Sequence, residues 1–255
     1  MNGPPAPALR DLVQETQQLL DSGDVDGAVE RRDILAAAIP SLPEGHLDRV
    51  RAQALAASLY LVLVQRAKAA EVLAPFIRDG VHAEEQPIRA IAERDPAIAA
   101  AIASAGADAL FRMRSYDDAD RLVKLALELI GTHHVSALGI EARHRAMLHL
   151  RTLARAGRIE WRTVAKGGPA RSRLEACLRE LDGYAARLTH EQASSVEAFV
   201  LDIWAAVDWS SGRHHEARGR IYRAITLLER PGMRDRSRLA HAYYIAGKIE
   251  SSFVN

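Results

Sequence analysis

Short turns of similar make recur along this chain and cut it into helix-length pieces. That recurrence limits it to few folds, because a repeated unit that cannot bury its own apolar face must stack against its neighbours. The turns fall at residues 22–28, 65–70, 114–119, 156–160, 211–217 and 247–249; counted from residues 23, 65, 114, 157, 212 and 247 they are successively 42, 49, 43, 55 and 35 residues apart. Four of them carry a glycine at the opening, Gly23, Gly157, Gly212 and Gly247. Glycine is the residue that takes the left-handed conformation ending a helix. In four of them an alanine follows, Ala28, Ala70, Ala119 and Ala217, small enough for the second helix to lie close against the first.

The pieces between turns are helical in pattern. Leu9, Leu12, Val13, Leu19 and Leu20 recur at three- and four-residue steps, as do Leu122, Leu125 and Leu129. Asp95-Pro96 places an oxygen acceptor at an N-cap and a proline at the first helical position. Ser41 with Glu44, and Thr189 with Gln192, have capping-box spacing. No segment alternates apolar and polar residues for long enough to predict a strand. The chain of 255 residues holds 46 alanines and only 5% aromatics, which favours close-packed helices over a sheet. The expected class is all-α: an α-solenoid of about five to six antiparallel hairpins, the last incomplete because few residues follow Gly247. Residues 1–8, rich in proline, read as a flexible arm, and 9–255 as one helical-repeat domain.

On these residues the chain resembles the tetratricopeptide-repeat family. Residues 107–131 carry Leu110, Tyr116, Ala119, Val123 and Ala126 at family-like spacing, and 204–228 carry Trp204, Ala205, Gly212, Ala217, Ile221 and Ala224. Residues 8–40 end on Pro40, as such a repeat does. The stretch 142–188 departs, with Arg162 where a small residue is expected and 164–173 reading as an inserted loop. The resemblance implies a concave groove lined by the first helix of each pair. Its apolar end would hold Leu55, Leu59, Val62 and Leu63. Asp108, Phe111 and Arg112 would follow, then His144, Met147, Arg151 and Arg155, and finally Phe199, Asp202, Trp209, His241 and Tyr244. Of these, Arg112, His144, Met147, Arg151, Arg155, Trp209, His241 and Tyr244 are the candidate partner-binding residues. Arginine forks at positions four apart suit a carboxylate or phosphate, and flat aromatics suit a binding hot spot.

The function this implies is a non-catalytic scaffold or adaptor. It would bind a protein or peptide partner, an acidic one being suited to it, through the groove or through an uncovered C-terminal end that also suits self-association. The alternative is a ligand- or peptide-sensing regulatory domain of a bacterial signalling or transcription protein. Asparagine occurs only at Asn2 and Asn255, so the asparagine-based carboxylate clamp of some family members has no counterpart here.

Catalytic motifs are missing. Gly167-Gly168-Pro169 lacks the flanks of a phosphate loop. A metal-dependent enzyme on Glu141, His144 and His149 would need a second Glu-x-x-His, and none occurs. The pairs His133-His134 and His214-His215 read as surface turns, and Cys177 as a buried structural thiol. No cofactor or metal is expected. Residues 141–190 carry eleven Lys or Arg against five acids, whereas residues 1–45 carry three against eight. This asymmetry in a nearly neutral chain suits an acidic partner better than nucleic acid. The first residues lack the pattern of a signal peptide, and the apolar run 55–64 is too short to span a bilayer, so a cytoplasmic location is expected.

Overall fold

The computed structural model describes residues 6–131, 140–164 and 167–253. They are all-α apart from one two-stranded hairpin. The contacts divide the chain into two compact units, Met1–Asp21 with Gly27–Ser136, and Ser22–Asp26 with Ala137–Asn255. The sequence pattern alone drew no boundary inside 9–255.

The first unit runs α1 (Ala6–Asp21), α2 (Val25–Glu30), α3 (Arg32–Ala38), α4 (Leu47–Val62), α5 (Arg66–Val72), strands β1 (Ile77–Arg78) and β2 (His82–Ala83), α6 (Glu85–Ala92), α7 (Pro96–Arg112) and α8 (Tyr116–Gly131). Helix α7 starts as its sequence dictates: Asp95 caps it, accepting from the Ile98 amide at 3.0 Å, and Pro96 opens it. It is buried on nearly every side because alanines and Gly106 bring its neighbours close. A methyl group on Gly106 would lie 2.8 Å from Leu122 of α8. Helices α4 and α7 run parallel. Arg94 reaches the Gly45 carbonyl at their N-terminal ends, Arg51 meets Asp95, and Arg66 reaches the Arg112 carbonyl at their C-terminal ends. Each is thus the first helix of a pair.

The second unit holds α9 (Ile140–Thr163), α10 (Gly168–Tyr184), α11 (His190–Ser210), α12 (His214–Leu228) and α13 (Arg236–Ser251). Thr189 and Gln192 form the expected capping box on α11. Helices α9 and α10 are antiparallel: Glu160 meets Arg173 at 2.8 Å, and the Cys177 thiol donates to the Leu150 carbonyl at 3.2 Å. Helix α11 packs on both of them, on α12 and on α13. Residues 22–26, which include the first two residues of α2, belong to this unit too. The Asp26 amide donates to the Arg234 carbonyl at 3.0 Å, and Asp24 and Asp26 pair with Arg234 and Arg236.

Four turns share one geometry. Gly23 (φ 83°), Val64 (φ 61°), Arg114 (φ 67°) and Gly212 (φ 75°) are left-handed, and each is followed five residues on by a fully buried alanine: Ala28, Ala69, Ala119 and Ala217. In three of them the next amide reaches back over the turn in the same way: Gln65 to the Tyr60 carbonyl, Ser115 to Leu110 and Arg213 to Asp208, at 2.9, 3.0 and 2.9 Å. Such bonds satisfy carbonyls that a helix end leaves open. The alanine is the repeat's real invariant, and in the second turn it is Ala69 rather than Ala70.

Several expectations are corrected. Gly157 and Gly247 lie inside α9 and α13, so neither marks a turn. Gly157 is instead a crossing point, where a Cβ would meet Leu174 at 3.0 Å. Because α13 continues through Gly247, no separate last hairpin begins there. Helix α10 begins at Gly168, so 168–173 of the expected loop are helical, while residues 165–166 lie outside the described residues. Ser41 bonds back to Ala38, and His46 caps α4 instead. The β1–β2 hairpin was not predicted; Asp79 and Gly80, both with positive φ, turn it. Among the described residues no helix is long and apolar enough to cross a membrane.

Two predictions follow from the turn between α4 and α5. Val64 is β-branched, exposed and left-handed, a conformation that costs a non-glycine residue about 1–3 kcal/mol. Val64→Gly therefore raises stability by roughly 1 kcal/mol in urea unfolding; a loss would contradict the strain. Tyr60, buried and donating to Asp33 at 2.9 Å, has its phenol pushed up to about 12, first by burial and then by that carboxylate. The unfolded phenol ionises near pH 10 while the folded one keeps its proton, so this contribution is whole below pH 10 and is lost as pH rises to about 12. Tyr60→Phe flattens that alkaline limb in pH-dependent unfolding; an unchanged limb would refute the assignment.

Candidate functional site

Two helices of the second unit, α11 and α13, meet along one seam whose partners rise in number together. Arg238 stacks on Phe199 at 4.4 Å, the His241 Nδ1 meets Asp202 at 3.0 Å, and the Lys248 ammonium lies 5.7 Å from the Trp209 ring. All three pairs are separated by the same 39 residues, so α11 and α13 lie parallel in fixed register. Trp209 also donates its indole N–H to Ser252 Oγ at 2.9 Å. Along α13, His241, Tyr244 and Lys248 are spaced for one helical face. Tyr244 is 58% exposed, with His241 beside its ring and Lys248 over it at 4.8 Å. The seam thus presents cations and aromatic faces side by side.

Of the eight sequence-predicted residues, Trp209, His241 and Tyr244 come together here, and the other groove residues Phe199 and Asp202 form its floor, both buried. His144, Arg151 and Arg155 stand half-buried on α9. Met147 is 5% exposed and packs in the core, so it is corrected as a contact residue. Arg112 belongs to the first unit, where it pairs with Asp108 at 3.2 Å. Leu55 and Leu59 are likewise buried core rather than groove lining. At the C-terminal end Ile245 and Ile249 are buried, while Tyr243, Tyr244 and Phe253 are exposed. Sequence reasoning missed Arg238, Lys248 and Ser252. The spacing to Phe199 and Trp209 would have found them once α13 was read as unbroken.

A second cluster sits on the other side of α11. The Asp208 carboxylate is fully buried and faces Arg171 of α10 at 3.8 Å, Arg213 at 3.8 Å, and Arg220 of α12. Burial pushes its carboxyl up, and the guanidiniums of Arg220, Arg213 and Arg171 pull it back. Arg220 also stacks on Trp204 at 4.1 Å, and Arg213 is held by Glu216 at 2.6 Å. One carboxylate thereby ties three helices together, which is a packing role.

The remaining chemistry-bearing residues are engaged in packing. His149 contacts Tyr184 at 3.2 Å and Glu180 at 3.5 Å. His214 and His215 both lie against the Phe253 ring, at 6.1 and 5.0 Å. The Cys177 thiol is pushed up to about 12 by burial, too high for a thiolate nucleophile at neutral pH. The Glu141 side chain, His133 and His134 lie outside the described residues. Among the described residues no three His, Cys, Asp or Glu side chains are grouped to hold a metal ion. The acidic stretch is partly neutralised by arginines from outside it, Arg234 on Asp24 and Arg236 on Asp26.

No known protein-family model matches the chain, and no curated protein is significantly similar to it in sequence.

Asp208→Ala would leave three guanidiniums around an empty buried position. It lowers unfolding free energy by about 3 kcal/mol. A melting temperature equal to the parent's would contradict the role of the carboxylate.

Proposed function

We propose that this chain is a non-catalytic binding module of tetratricopeptide-like build, which recruits a protein partner through the seam between α11 and α13. The observation that carries this reading is the row of cations and aromatic rings on that seam, with Tyr244 and His241 exposed and Lys248 resting on two ring faces. Aromatic and cationic side chains of this kind dominate the energy of protein interfaces. The shared turn geometry supports the repeat reading. Where helix pairs stack, adjoining first helices form the surface used for recognition. A partner bound here would meet a rigid surface, because Asp202 fixes His241 and Ser252 fixes Trp209.

Tyr244→Glu tests this directly, since Tyr244 is exposed and its hydroxyl makes no hydrogen bond among the described residues. Immobilised parent, Tyr244→Glu and the control Tyr222→Ala, whose exposed ring lies on α12, are each incubated with an extract of the source cells. The expected result is a protein retained by the parent and by Tyr222→Ala and reduced at least tenfold by Tyr244→Glu. Retention that ignores Tyr244→Glu, or that fails equally for all three, overturns the reading.

A further inference from the structure

Three polar groups on the exposed face of α13 point to the chemistry of the partner. The His241 ring is fixed through Nδ1, which donates to Asp202, so its other nitrogen, Nε2, is left for a ligand. The Tyr244 hydroxyl, on a ring 58% exposed, has no hydrogen-bond partner among the described residues. The Lys248 ammonium has no carboxylate within 4 Å among the described residues, and it is held instead by the Trp209 and Tyr244 ring faces. This is unlike the arginines around it. Arg218 pairs with Glu250 at 2.8 Å, Arg238 with Asp235 at 3.0 Å, and Arg223 with Glu197. A cation seated on aromatic faces keeps its charge and its three donors available.

The acids nearest this face are already engaged. Asp202 is 9% exposed and has both oxygens on the imidazole. Glu250 is held by Arg218, and Glu229 accepts from Tyr243. The outward groups are therefore a lysine ammonium, a phenol and an imidazole, in a row from 241 to 248. At 1.5 Å per residue that row is about 10 Å long, the reach of three residues of extended peptide.

We infer that the partner segment received here is a short acidic peptide in extended form, whose side-chain carboxylates are taken by Lys248 and Tyr244 and one of whose backbone N–H groups donates to His241 Nε2, while its backbone crosses the faces of Tyr244 and Trp209. This rests on the reading of the seam as a binding surface and adds the chemical class of what it binds. Charge complementarity selects that occupant, because the seam offers donors and a cation outward and keeps its own carboxylates engaged beneath.

The test uses the whole chain and two fluorescein-labelled probes, four Glu-Gly repeats and four Gln-Gly repeats, followed by fluorescence anisotropy at 150 mM salt. An eight-nucleotide single-stranded DNA serves as a third probe. The expected result is binding of the glutamate peptide, at least tenfold weaker binding of the glutamine peptide, and at least tenfold weakening by Lys248→Ala and by His241→Ala. Both substitutions fall on partly or largely exposed side chains, and a cooperative thermal transition well above the assay temperature confirms that each variant is folded. Absence of glutamate-peptide binding, equal binding of the glutamine peptide, indifference to both substitutions, or preference for the DNA overturns the inference. Failure here, with capture from extract still dependent on Tyr244, removes the acidic peptide and leaves the binding surface standing. Loss of the Tyr244 dependence removes the surface itself.

Discussion

A buried alanine five residues beyond a left-handed turn residue is the constraint on which the helix pairs depend. At Ala28, Ala69, Ala119 and Ala217 the second helix has no side chain beyond Cβ, and all four are fully buried. The turn residue ends the first helix, in three of the four the next amide closes over it, and the second helix is set at once against the first. Glycines at mid-helix crossings do the same work further along: Gly106 against Leu122, and Gly157 against Leu174. Where backbones approach this closely, dispersion contacts are gained all along the pair. A larger residue at a crossing would separate the helices or displace a buried leucine.

From that pairing follows the placement of the proposed binding surface. If second helices are packed closely behind, the first helices of successive pairs come to lie side by side and parallel. Helices α4 and α7 do so in the first unit, and α11 lies parallel to α13 in the second. The seam between α11 and α13 then brings Phe199, Asp202 and Trp209 opposite Arg238, His241 and Lys248 at one constant separation. Asp208, on another side of α11, gathers arginines from α10 and α12 and holds the same helix from behind. Helix α11 therefore has a structural face and an outward seam, and its buried polar residues divide between them.

Much of this was legible in the sequence where the signal is local. The caps at Asp95 and Thr189 could be read directly, because capping depends on residues only three apart. The all-α class followed from periodicity and alanine content. Gly157 and Gly247 misled for a physical reason: a glycine at a helix crossing and a glycine at a turn look alike until the atoms facing them are known. Conversely, Val64 and Arg114 take left-handed turn positions with no glycine to announce them. The misreading at Gly247 also hid Lys248 and Ser252, which appeared to lie past a helix end. The candidate site was half visible. Trp209, His241 and Tyr244 were named from the repeat, whereas Met147 proved to be core and Arg112 belongs to the first unit. The Asp208 cluster had no local signature at all, since its arginines lie 5, 12 and 37 residues away.

The account stands or falls on the register between α11 and α13. A double-mutant cycle on Asp202→Ala and His241→Ala, read by urea unfolding, measures that contact directly. A coupling of about 0.5–3 kcal/mol is predicted for side chains in contact across the seam. Additive effects, with no coupling beyond error, would show that the two helices do not meet there, and the surface built on their meeting would go with it.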